Sequence, residues 1–232
     1  MELSDRDIKA LTFDLFGTVL DLGGSLQPYI EKFLQAKGTK LSAEDFWARW
    51  RARQRIEQYQ DSLFMLPHAG YLATSRRALV YVIAVSGIKA AVREVDELMS
   101  AWQQLNPFPD VSASLARLSE RFRLVALSNG DPEFLEHLVK NRIRWNFDDI
   151  FSVSKVGRFK PHPAVYRSAA VELGLEPGEC CMISSNSFDV VGARLGGYRA
   201  VYVNRYNTPV EEAPVGPDAV VGDFTELAEL LV

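Results

Sequence analysis

The 232-residue sequence predicts an α/β fold: a Rossmann-like core built on a parallel sheet, with an all-helical cap domain inserted after the first strand. Three observations predict it. Short runs rich in Val, Ile and Leu alternate with helical patterns, as strands covered on both faces of a parallel sheet do. Residues 22–105 interrupt that alternation and carry helical spacing alone. Polar residues recur at the carboxyl ends of the strand-like runs, where open parallel sheets bind ligands.

The elements follow in order. IKALTFDL (8–15) reads as the first strand. SLQPYIEKFLQAKG places Tyr29, Ile30, Phe33 and Leu34 at helical spacing. SAEDFWARWRARQRIEQY opens on Ser42 as N-cap, with Asp45 at the capping-box position in place of Glu. YLATSRRALVYVIAVSG and AAVREVDELMSAWQQL are two further helices, and NPFPD (106–110) returns the chain to the core. RLVALS (123–128) reads as a strand leading into a helix at 132–140, and DIFSV (149–153) as a third strand. CCMIS (180–184) precedes a helix at 187–196, and RAVYV (199–203) follows it. Ala219 to Val221 reads as a last short strand before a terminal helix at 224–231, and the Pro-rich stretch at 209–217 as a surface loop. The expected domains are 1–21 with 106–232 for the core and 22–105 for the cap.

Hydrophobic residues at 47% and charged residues at 24% are ordinary for a globular chain. A net charge of -4 gives no basic footprint, which argues against nucleic acid as a partner. No apolar run reaches membrane-spanning length, and MELSDRDIKA lacks the basic and apolar regions of a signal peptide. The two cysteines, Cys180 and Cys181, are adjacent in an apolar run, and we read them as reduced core residues of a cytoplasmic protein. His68, His137 and His162 are scattered without metal-ligand spacing.

Four strand ends carry polar groups. Asp14 closes the first strand in LTFDLFGTVLD, and a buried acid there is costly unless something pairs with it. Ser128 and Asn129 close the second strand. Lys160 stands before Pro161 and Pro163, which stiffen its loop. Ser184, Asn186 and Asp189 follow the CCMIS strand. Each has a plain alternative: a turn acid, a Ser-Asn-Gly turn, a solvated lysine, a helix cap. Their meeting at one sheet edge is what gives them weight together.

FDLFGT, LSNG, KPHPAVY and SSNSFD, in that order over nearly the whole chain, resemble the motifs of the haloacid dehalogenase superfamily. A helical cap inserted just after the first motif fits the same resemblance. FDLFGT, LSNGDP and SSNSFDVVGAR together resemble its L-2-haloacid dehalogenase branch. The resemblance implies that Asp14 attacks the carbon bearing the halogen and forms an ester. Thr18 orients the Asp14 carboxylate. Ser128 holds the substrate carboxylate, and Asn129 donates to the departing halide. Lys160 neutralises Asp14 and the substrate, and Tyr166 hydrogen-bonds within the same cluster. Asp189 pairs with Lys160 and positions or deprotonates the water that cleaves the ester, while Ser184 and Asn186 fix that network.

Phosphatases of this superfamily carry Asp-x-Asp in the first motif and a Gly-Asp in the last. Here the corresponding residues are Phe16 and the pair Ser184-Ser185. Magnesium prefers carboxylate oxygens, so the sequence implies a site with no metal and no cofactor, in which Phe16 makes the pocket apolar. Trp47, Trp50, Tyr59 and Phe188 line that pocket or belong to the core. In the relatives a cap arginine stabilises the leaving halide. Matching Trp50-Arg51 selects Arg51, which we prefer, and matching Arg53-Gln54-Arg55 with Tyr59 selects Arg53. Residues two apart on a helix point about 200° apart, so only one of them faces the site. The implied reaction converts a short L-2-haloacid to the inverted 2-hydroxy acid. The alternatives are a magnesium-dependent phosphatase of the same fold and a non-catalytic small-acid binder. The expected partners are the haloacid and a second copy of the chain in a homodimer, with no nucleic acid and no membrane.

Overall fold

The computed structural model describes residues 7–210 and 212–232. The signal-peptide reading rests partly on residues 1–6, which lie outside the described residues. Strand β1 (Ala10–Phe13) leads through the short β2 (Leu20–Asp21) into α1 (Leu22–Ala36), α2 (Ala43–Leu63), α3 (Tyr71–Val85) and α4 (Val92–Ser100). The chain then passes β3 (Asn106–Pro107) and α5 (Val111–Leu118). Thereafter strands and helices alternate as β4 (Arg123–Ser128), α6 (Pro132–Leu138), β5 (Asp149–Ser152), α7 (Pro163–Leu173), β6 (Cys180–Ser184), α8 (Ser187–Leu195), β7 (Arg199–Val203), β8 (Ala219–Val221) and α9 (Phe224–Leu231).

Two compact units result. One comprises residues through Leu20 and from Pro107 onward, and the other comprises Asp21–Asn106. In the first, six strands pair in the order β5-β4-β1-β6-β7-β8, all parallel. Strands β1 and β6 are buried along their whole length, which explains apolar runs without polar alternation. The chain moves outward from β1 to β4 and β5, then returns to the other side of β1 with β6. That reversal makes β1 and its neighbours the topological switch point, where open parallel sheets bind ligands, and Asp14 follows β1 there while Ser128 and Ser184 end β4 and β6.

Several predicted elements are longer than the observed ones. The first strand spans Ala10–Phe13 rather than 8–15, because the chain turns at Asp14 into a loop whose Gly17 has φ 87°. The helix expected at 132–140 stops at Leu138, and a single wide turn follows, ending at left-handed Arg144. Helix α7 starts on Pro163 at its first position, where no N–H is required, and ends on left-handed Gly174.

In the second unit, Ser42 caps α2 by accepting from the Asp45 N–H at 3.0 Å, and its hydroxyl donates to the Asp45 carboxylate at 2.7 Å. The apolar centre is a ring cluster of Phe46, Trp47, Trp50, Tyr71 and Trp102. A polar seam runs beside it between α2 and α3. Gln54 donates to Ser75, Arg53 and Arg77 both bond Glu57, and Arg77 also bonds Asp61.

Candidate functional site

Asp14 is buried at the tip of β1, its N–H held by the Ile183 carbonyl of β6 at 3.0 Å. Its two oxygens are treated differently. Oδ2 accepts from the Thr18 hydroxyl at 2.8 Å and from Asn186 Nδ2 at 2.8 Å. Oδ1 accepts from Lys160 Nζ at 3.0 Å. The Thr18 hydroxyl itself accepts the Ser185 N–H at 2.8 Å, which leaves its proton directed at Asp14.

Lys160 is 1% exposed. Its ammonium donates to Asp14, to Asp189 Oδ2 at 2.8 Å and to the Leu127 carbonyl at 2.8 Å, so all three protons are used. Asn129 accepts the Lys160 N–H through Oδ1 at 2.8 Å, which leaves its amide NH2 as the donor end. Asp189, in the first turn of α8, accepts from the Tyr166 hydroxyl at 2.6 Å through its other oxygen. Asn186 is the N-cap residue of α8, yet its side chain makes no cap bond. It reaches Asp14 and the Phe16 carbonyl instead. Ser184 Oγ accepts the Asn186 N–H at 3.1 Å.

Burial alone would pull the Lys160 ammonium down, but the carboxylates of Asp14 and Asp189 outweigh it and hold it above 10.5. Asp189 is pushed up from 3.8, first by burial; Lys160 pulls it back and the nearby Asp14 charge adds to the rise. Tyr166 is pushed well above 10.0 by burial, with Asp189 adding to it. One ammonium therefore serves two carboxylates, and the second carboxylate keeps a higher proton affinity than a solvated one.

Ser128 is fully buried, and its hydroxyl meets no hydrogen-bond partner among the described residues; the Ser185 hydroxyl does likewise. A buried orphan hydroxyl at a strand end suits a ligand that completes it. Phe16 stacks on Phe134 at 5.8 Å, and Gly130 lies against both Phe16 and Leu135, so this wall is apolar. Phe188 is half-buried in the first turn of α8. Among the described residues no three His, Cys, Asp or Glu side chains converge as a metal-ligand set.

Within the helical unit, Arg53 is engaged. It donates twice to Glu57 and lies 4.0 Å from the Tyr81 ring centre. Among the described residues Arg51 donates only to neutral acceptors, Gln54 Oε1 at 2.9 Å and the Tyr71 hydroxyl at 3.4 Å. Trp50 is fully buried, with its indole N–H on the Ser75 carbonyl at 2.8 Å, so it belongs to the core of this unit. His162 caps α7 by accepting from the Ala164 N–H.

Two contributors are given no role by the motif reading. The Leu127 carbonyl is backbone and leaves no side-chain signal. Gly192 sits mid-helix in α8, where a Cβ would strike Pro161 and approach the Tyr166 hydroxyl at 2.9 Å. A glycine inside a helical pattern is itself a sign of such close packing.

A carboxylate at a strand tip, braced by hydroxyl, amide and ammonium donors, defines a hydrolase of the covalent-nucleophile class on an α/β sheet. Residues 8–197 match the model of the haloacid dehalogenase-like hydrolases, and the chain belongs to that family. It is 30% identical to (S)-2-haloacid dehalogenase 4A of Burkholderia cepacia, over 97% of this chain and 95% of the relative. It superposes on the crystal structure of an L-2-haloacid dehalogenase with TM-score 0.89 and 29% identity, covering 97% of this chain and 98% of the other. The L-2-haloacid dehalogenase of Xanthobacter autotrophicus with chloropropionic acid covalently bound matches with TM-score 0.83 and 28% identity, covering 97% of this chain and 98% of the other.

Proposed function

We propose that this chain hydrolyses the carbon–halogen bond of short (S)-2-haloacids through an ester on Asp14, with inversion and without metal. The observation that carries the reading is the asymmetry of the Asp14 carboxylate. Among the described residues Oδ2 already takes two donors, whereas Oδ1 has the Lys160 ammonium alone. Oδ1 is thus the attacking oxygen. Its lone pair forms the C–O bond from behind the C–X bond, whose electrons leave with the halide. The Asn129 amide and the Arg51 guanidinium receive that charge, and Ser128 takes the substrate carboxylate.

In the second step, water adds to the Asp14 carbonyl carbon and gives its proton to Asp189. Oδ2 becomes the oxyanion, with Thr18 and Asn186 as its donors. Collapse breaks the bond to the substrate oxygen, which takes the proton back from Asp189 and leaves as the 2-hydroxy acid. The water-derived hydroxyl loses its proton to solvent, and Asp14 is again a carboxylate with the water oxygen in it. The raised proton affinity of Asp189 suits it to the base role. The ammonium between Asp14 and Asp189 supports a metal-free reading, since it supplies there the charge that a divalent ion supplies in a phosphatase.

One turnover on (S)-2-chloropropionate in heavy-oxygen water tests this. The Asp14 peptide gains mass, and chloride release persists with a chelator present. A light peptide with product formed overturns the ester, and loss of turnover on chelation, or magnesium-dependent release of phosphate from a monoester, overturns the metal-free reading. Two coarser features accompany it. No helix among the described residues is long and apolar enough to cross a membrane, and the buried free thiols of Cys180 and Cys181 support a reducing, cytoplasmic setting. Ile56, Val80 and Tyr81 are exposed on α2 and α3, which supports a homodimer, checked by sedimentation.

A further inference from the structure

The loop that carries Thr18 is gripped at its backbone by residues remote in sequence. Arg205, two residues past β7, has a side chain only 6% exposed. Its Nε donates to the Thr18 carbonyl at 2.8 Å, and its two terminal nitrogens form a fork on the Asp110 carboxylate at 3.1 and 2.9 Å. The guanidinium lies 4.1 Å from the Phe108 ring centre and 4.8 Å from that of Phe224. Asp110 is fixed in turn by the Phe224 N–H at 2.7 Å. The neighbouring Tyr206 hydroxyl donates to the Gly17 carbonyl at 3.1 Å, and the Phe108 N–H reaches the Val19 carbonyl at 3.0 Å. Three successive carbonyls, Gly17, Thr18 and Val19, are thus taken by groups remote in sequence.

Thr18 touches Asp14 directly, its hydroxyl 2.8 Å from Oδ2. A threonine side chain has one stiff torsion, so where its hydroxyl sits follows from where its backbone sits. A planar fork fixed on Asp110 defines a direction for Nε that a flexible ammonium would not. We propose that Arg205, seated on Asp110 and assisted by Tyr206, is a positioning residue for the nucleophile: it holds the Thr18 backbone so that the hydroxyl meets Asp14 Oδ2. This rests on the dehalogenase reading above.

The test is a double-mutant cycle on halide release, with thermal unfolding in parallel. Arg205→Lys keeps a cation opposite Asp110 but loses the fork. It lowers kcat about tenfold, as a small misplacement of a reacting group does, with KM unchanged. In a Thr18→Ala background the same exchange costs little further, because the route through Thr18 is already cut. Tyr206→Phe, on a side chain 52% exposed, shows the same pattern at smaller size and serves where Arg205→Lys folds poorly. Full kcat in folded Arg205→Lys and in Tyr206→Phe, or losses that multiply undiminished with Thr18→Ala, overturns the proposal. A wild-type chain that releases no halide overturns the dehalogenase reading instead.

Discussion

Both units of this protein bury charge, and they do so in opposite ways. In the helical unit, Glu57 and Asp61 face Arg53 and Arg77, so two carboxylates meet two guanidiniums contributed by α2 and α3. In the sheet unit, Asp14 and Asp189 share the single ammonium of Lys160, and each of the three comes from a different part of the chain. The first arrangement is electrically closed and needs nothing more. The second carries an excess negative charge and an orphan hydroxyl on Ser128. Closed polar networks hold helices in register; open ones wait for a ligand or a reaction.

Breaking the two networks separates them most sharply. Lys160→Met leaves two buried carboxylates facing each other. It costs about 3–5 kcal/mol of stability and lowers kcat by roughly 10³ or more, read from urea midpoints and halide release. Arg77→Met leaves Glu57 with Arg53 but takes the guanidinium from Asp61, whose side chain is 5% exposed, and costs about 1–3 kcal/mol with no change in kcat. Equal stability losses from the two exchanges contradict the comparison.

The arginines of α2 come next. Arg51→Met lowers kcat about 10²-fold if its uncommitted charge serves the halide, while Arg53→Met spares kcat. The reverse result assigns the role to Arg53. A pH profile is gentler. Lys160 is raised above 10.5, so its contribution to stability is complete below the unfolded value and is lost only as pH climbs through the higher folded value. Asp189 is raised above 3.8, so its protonated form is favoured on folding, that contribution fades as pH rises, and the base form needed for ester cleavage appears only above an ordinary carboxylate pH. The acid limb of kcat therefore lies above 3.8 and the alkaline limb above 10.5. An acid limb at or below 3.8 removes Asp189 as the base. The smallest effect is Ser128→Ala. Removing a buried hydroxyl with no partner leaves stability unchanged or raises it by about 1 kcal/mol, while KM rises.

Much of this was legible in the sequence because parallel strands are buried on both faces and so appear as unbroken apolar runs. RLVALS, CCMIS and RAVYV were bounded correctly for that reason. IKALTFDL was overextended, because hydrophobicity continues through Leu15 after the backbone has turned at Asp14. Asp14, Lys160 and Asp189 were legible as motif residues, but the division of labour between the two Asp14 oxygens depends on distances. Arg53 pairs with Glu57 four residues along the same helix, a pairing no motif carries, and this favours Arg51 over Arg53 as the proposed halide arginine. Arg205 and Asp110 bear no motif, and only the return of β7 beside β6 brings them to the loop of Thr18.

The glycine at the middle of α8 has a practical consequence. Replacing a mid-helix glycine with alanine ordinarily stiffens a protein by about 1 kcal/mol, and Gly192 looks an inviting target. A methyl there would ram Pro161 and crowd the phenol of Tyr166. Anyone hardening this catalyst against heat must leave that helix soft and seek rigidity on a face remote from the reaction.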